Sequence, residues 1–182
     1  MKKLFYLLSS VFFCLLVVSC TAKNKLLQPG DKIGEMTLVQ EASATPYDVI
    51  YTFCDFGPDS HEPLKYSTTC GVPMQPGLGL RIGWTAKESL IASNWEAIEW
   101  GLKVDGQIVD LQAFKWEEFS STNNGENLKS RVWFIALEDL TPGKHTLTWT
   151  NTKKTAIDDG FNIYQPGAYE RTINFNILEK EE

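Results

Sequence analysis

Residues 131–150 read RVWFIALEDLTPGKHTLTWT, and the fold is read from this stretch outward. Val132 to Leu137 is a short apolar run without strict alternation. Its length and its β-branched and aromatic content predict a strand covered on both faces rather than a helix. From Lys144 the pattern changes to period two: His145, Leu147 and Trp149 fall on one face, Lys144, Thr146, Thr148 and Thr150 on the other. That is a strand with one core face and one wet face. Between the two lies Leu140-Thr141-Pro142-Gly143, where proline presets φ for a turn and glycine supplies the freedom to complete it.

This corner resembles the connection between strands E and F of immunoglobulin-like sandwiches, where a Leu precedes Gly-x-Tyr and a core residue follows two positions on. Gly143-Lys144-His145 stands in the place of Gly-x-Tyr, and Leu147 in the place of the antibody cysteine. The resemblance implies a corner hydrogen bond supplied by an imidazole, and no inter-sheet disulfide at that point. Pro166-Gly167-Ala168-Tyr169 is a second copy that keeps the tyrosine and opens a strand running to Ile177.

Upstream, Asp105-Gly106 is a two-residue type I′ hairpin signal. Such a turn pairs Val104 with Gln107, Leu102 with Val109, Trp100 with Leu111 and Ile98 with Ala113, so the apolar positions of both arms share a face. Gly77 to Trp84 alternates cleanly through Leu78, Leu80 and Ile82, and Asp31 to Val39 does so through Met36 and Leu38. Tyr47 to Cys54 is expected to be a strand with Tyr47, Val49, Tyr51 and Phe53 on one face. Thr85-Ala86-Lys87-Glu88 resembles a helix capping box. Ser120 to Lys129 and Asn151 to Gly160 read as polar loops. These elements predict an all-β chain, an antiparallel immunoglobulin-like β-sandwich of about 7–9 strands. One short connecting helix is expected near residues 86–93.

The first twenty residues are MKKLFYLLSSVFFCLLVVSC. Two lysines precede a hydrophobic stretch too short for a comfortable membrane span and suited to a signal peptide. Val17-Val18-Ser19-Cys20 resembles the lipobox of bacterial lipoproteins. The resemblance implies cleavage before Cys20, a diacylglyceryl thioether on its sulfur, and a membrane as one partner. Thr21 is not the aspartate of an inner-membrane retention signal, which favours the outer membrane where the host has one. The expected divisions are a signal peptide over 1–19, a lipidated tether over 20–30, the sandwich over 31–178 and a charged tail over 179–182. The net charge of −6 becomes more negative when Lys2 and Lys3 leave with the signal. An acidic domain of this kind is no partner for nucleic acid.

Of the four cysteines, Cys14 leaves with the signal and Cys20 is the lipid site. Cys54 and Cys70 remain, and a pair in an exported chain reads as a disulfide. They enclose DFGPDSHEPLKYSTT, a loop too polar to hold itself by burial. Asp55, Asp59, His61 and Glu62 are the densest cluster of potential metal ligands, but their spacing matches no zinc or EF-hand pattern. Asp158-Asp159-Gly160 reads as a turn before it reads as a calcium loop. No cofactor is expected. No catalytic residues stand out: nucleophile elbow, metalloprotease and P-loop motifs are all missing from the sequence. Six tryptophans are present. Alternation assigns Trp84, Trp100 and Trp149 to the core, whereas Trp95 and Trp116 flank the hairpin and form a candidate sugar-stacking pair. The function expected is a lipid-anchored extracytoplasmic binding domain with a protein partner, or alternatively a glycan partner engaged by exposed tryptophans. An enzyme with an unrecognised site is the remaining alternative.

Overall fold

The computed structural model describes residues 25–44 and 46–179. Cys20, the lipobox around it and the last residues of the tail lie outside this range. In chain order the elements are β1 (Lys32–Ile33), β2 (Met36–Gln40), α1 (Ile50–Phe53), β3 (Leu64–Val72), β4 (Gly77–Lys87), α2 (Ile91–Ala97), β5 (Ile98–Val104) and β6 (Gln107–Ile108). A 3-10 turn (Leu111–Ala113) follows, then β7 (Trp116–Asn123), β8 (Glu126–Glu138), β9 (Gly143–Lys153), β10 (Ile157–Asp158), β11 (Ile163–Tyr164) and β12 (Gly167–Ile177).

Two five-stranded sheets carry the molecule. One runs β1-β2-β8-β4 with β7 also paired to β8; the other runs β3-β12-β9-β5-β6. Strands β8 and β9 belong to different sheets, so the chain crosses from one to the other at the corner read from the sequence. Their inner faces meet in one hydrophobic cluster. Leu38, Leu78, Leu80, Ile135 and Leu137 of the first sheet and Leu102, Val104, Leu147, Ile173, Phe175 and Ile177 of the second are fully buried within it. Each such side chain contributes about 1.5–3 kcal/mol through area removed from water.

Both corners take the same form. Gly143 and Gly167 have φ of 138° and 137°, a region that suits glycine. Two residues on, a ring reaches back to a carbonyl four residues upstream: His145 Nε2 lies 3.2 Å from the Thr141 oxygen, and the Tyr169 hydroxyl donates to Gln165 at 2.9 Å. The imidazole therefore does stand in for the phenol. Its other nitrogen lies 2.9 Å from Asp105 Oδ2 and so ties the corner to the β5–β6 turn.

Several expectations are corrected. The sheets are not purely antiparallel, because β3 pairs with β12 in parallel over its whole length. That strand begins inside the segment read as a disulfide loop and runs through Cys70 to Val72. Tyr47 to Cys54 is not a strand: Val49 makes a single bridge to Gly79, and Ile50–Phe53 then coils into one helical turn. Ile50 and Cys54, four apart, are the residues it buries, while Tyr51 is exposed. The helix expected near 86–93 starts later, at Ile91, with Leu90 at its N-cap making no side-chain cap. Thr85 is a strand residue whose hydroxyl pairs with Ser130 of β8 at 2.6 Å. The Asp105-Gly106 turn has positive φ at both residues, 48° and 76°, as type I′ requires. Its arms pair only as far as Lys103 and Ile108, with one further bond from Val109 N to the Leu102 oxygen. Leu111–Ala113 then turns away as a 3-10 turn capped by the Asp110 side chain, which accepts from Gln112 N at 3.2 Å. The polar 120–129 loop is the tip of the β7–β8 hairpin, turning at Asn124-Gly125 with φ of 49° and 82°. The folded body also reaches back into the expected tether, where Leu27 is buried and bridges Val109.

Candidate functional site at the aromatic end of the sandwich

The interior changes character along its length. Beyond Ile82, Leu147 and Ile173 the inner faces turn from aliphatic to aromatic and polar, and helix α2 packs against β4 and β8 there. The structure brings Trp95 and Trp116 together, with ring centroids 6.0 Å apart. They do not form a flat platform, since the rings are tilted by 56°. Trp95 also meets Trp133 at 4.4 Å and Trp100 at 4.9 Å. The four indoles line a cleft of about 490 Å³ with Phe114, and Glu99 and Gln112 stand at its rim. Trp116 is 42% exposed, and the Arg131 guanidinium lies 4.6 Å from its ring centre. The Trp133 indole N–H is buried and finds no acceptor among the described residues.

A second cleft, of about 300 Å³, lies nearby and contains residues that the sequence reading missed. Tyr51, Phe56, Trp84, Trp149, Lys153 and Arg171 are among its lining residues. Lys153 is only 2% exposed. Its ammonium donates to Asn151 Oδ1 and lies 3.6 Å from the Tyr169 ring centre, 5.0 Å from that of Trp84 and 5.3 Å from that of Tyr164. Among the described residues no carboxylate lies within ion-pair distance of it. Burial, and after it the Arg171 charge, lowers the Lys153 pKa to about 8. Burial also lowers that of Arg171. The Tyr164 hydroxyl is pushed up to about 12, first by burial and then by Asp159. Arg171 donates from Nε to the Phe56 oxygen at 2.8 Å and from Nη2 to the Pro58 oxygen at 3.1 Å, holding the 56–58 segment as one wall. The signal for both cations was parity. The core face of β9 runs 145, 147, 149 and continues to 151 and 153; that of β12 runs 169, 171, 173.

The four metal candidates are not brought together. Asp55 accepts from Gly57 N at 2.9 Å and from the Tyr66 hydroxyl at 2.8 Å, contacts that hold its pKa down. His61 packs edge-on against Tyr164, Asp59 lines the second cleft, and Glu62 is exposed. No group of three such residues is placed to hold a metal among the described residues. Asp158 and Asp159 act as turn residues, accepting from the backbone of Gly160, Phe161 and Asn162 at 2.7 Å. Cys54 and Cys70 are joined in a disulfide, with Cα atoms 5.3 Å apart. It fastens the end of α1 to β3.

No protein-family model and no curated protein matches the chain. Among solved structures it is similar to that of PbICP-C in complex with falcipain-2, at 13% identity over 67% of this chain and 95% of that one, with a TM-score of 0.36. It is also similar to the cysteine protease inhibitor EhICP2 from Entamoeba histolytica, at 11% identity over 67% of this chain and 100% of that one, with a TM-score of 0.29. Overlaps this loose leave the function to be read from the chain's own geometry.

Proposed function

We propose that this chain is a lipid-anchored, extracytoplasmic binding domain of immunoglobulin-like architecture whose binding surface is the indole cleft, and that the cleft takes a carbohydrate. The observation that carries the reading is the convergence of Trp95, Trp100, Trp116 and Trp133 on one cleft with Glu99 and Gln112 at its rim. Indole faces stack against the C–H faces of sugar rings, while the Glu99 carboxylate and the Gln112 amide supply hydroxyl partners. The tilt of the pair favours a chain end or a bent glycan over a flat crystalline surface.

The test is a glycan array followed by titration of the best binder against the full chain. Trp116→Ala should weaken binding by about tenfold or more, since stacking on one aromatic contributes on the order of 1–3 kcal/mol. Trp116 is half-exposed and packs on Trp95 and Arg131, so its loss should lower the melting temperature by about a few degrees, and binding is compared well below the transition. A protein partner is the second reading. It is favoured by the half-exposed Trp116 with Arg131 stacked on it, since these residue types dominate binding hot spots. A blank array beside a specific pull-down abolished by Trp116→Ala would sink the sugar reading in favour of the protein one.

A further inference from the structure

We propose that the cleft containing Lys153 and Arg171 is a second binding site, for the acid group of a small anionic molecule. Its lining carries three cations, Lys153, Arg171 and Arg81, against one carboxylate, and of the three Arg81 is already paired with Glu41. Lys153 is buried between the sheets without a carboxylate partner among the described residues, a position where a methionine or leucine would fill the space at no desolvation cost. Arg171 stands on the neighbouring strand, opposite Trp149 in the β9–β12 ladder, and both line the same cleft. Trp84 and Trp149 also line it, and their indole N–H groups find no acceptor among the described residues. The carboxylate among the lining residues is Asp59, which is exposed. The two cations without an ion-pair partner among the described residues, Lys153 and Arg171, favour a negatively charged ligand, and the aromatic walls suit one with a ring or short carbon body. This site is distinct from the indole cleft. The Trp100–Trp149 contact, with centroids 6.5 Å apart, joins the two.

The experiment titrates the full chain in detergent micelles with acetate, glucuronate and inorganic sulfate at constant ionic strength. Glucose serves as the uncharged control, and the readouts are tryptophan fluorescence and melting temperature. At least one anion should give a saturable signal and raise the melting temperature, whereas glucose should not affect this site. A response to glucuronate or acetate alone identifies a carboxylate ligand, and a response to sulfate alone an inorganic oxyanion. In Lys153→Met the affinity should fall tenfold or more while the unliganded variant melts no lower than the parent. Absence of a saturable response to every anion, or equal affinity in Lys153→Met, overturns the proposal. Should that variant fail to fold, Asp59→Asn decides from the exposed rim. Tighter anion binding supports the site, and unchanged or weaker binding overturns it. Trp116→Ala separates this result from the glycan reading, because it should leave anion binding intact.

Discussion

Lys153 is the residue at which this chain departs furthest from what a stable core asks for. Its ammonium is held by ring faces and one amide, and burial lowers its pKa from 10.5 to about 8. Between those values the unfolded chain carries a proton that the folded chain has given up, so stability rises with pH across that window. Below about pH 8 the full cost applies, on the order of 3 kcal/mol. Tyr164 opposes the trend only above about pH 10, where the unfolded chain ionises a hydroxyl that the fold holds protonated. Urea midpoints at pH 7.5 and 9.5 should therefore increase in the parent and stay level in Lys153→Met; an equal rise in both would show that another group titrates. Sequence made some residues plain and hid this one. Cys54 and Cys70 were the pair left once the signal and lipid site were set aside, so their bond was legible. Lys153 lies beyond Trp149 in a segment whose sequence reads as a polar loop, because a lysine on a core face breaks the apolar alternation that marks a strand.

At the level of elements, turn chemistry was more legible than the pieces it joins. The Asp105-Gly106 turn was read correctly, and the corner at Gly143 was recognised together with its copy at Gly167. Asn124-Gly125 carries the same type I′ signal, but its arms are almost entirely polar and offer no alternation to mark them as strands. Residues 118–127 along those arms are exposed, so burial puts no pressure on their composition. Strand β3 was hidden for the opposite reason. Leu64, Tyr66, Thr68, Cys70 and Val72 do alternate, but the two cysteines had already framed the segment as a loop. Parallel pairing beside β12 also needs a distant partner that no local pattern reveals. The disulfide anchors this edge strand to α1, a single turn with little packing of its own. Replacing Cys54 and Cys70 together by serine should lower unfolding free energy by roughly 3 kcal/mol in the chain-entropy account. Reversible denaturant unfolding would measure it, and an unchanged midpoint would mean that β3 is held by its ladder to β12 alone.

For the whole molecule, the all-β class and the two-sheet arrangement were readable because alternation and corners agree along most of the chain. The division of the interior into an aliphatic and an aromatic end was not, since it arises only when strands distant in sequence are set side by side. The address proposed for the molecule rests on Val17-Val18-Ser19-Cys20. Metabolic labelling with a fatty-acid analogue should tag the parent and leave Cys20→Ser untagged; label retained in the variant would remove the lipid anchor from the proposal. The paired corners carry a consequence for how such a chain changes over generations. His145 and Tyr169 clamp neighbouring antiparallel strands at opposite ends of one ladder. Insertions or substitutions in the connections outside those two clamps leave the register between them untouched. Descendants of this sequence are therefore free to rewrite the β7–β8 tip while inheriting the same frame, whereas the 55–62 segment is bound into it, because the Tyr169 hydroxyl also meets the His61 oxygen at 2.7 Å.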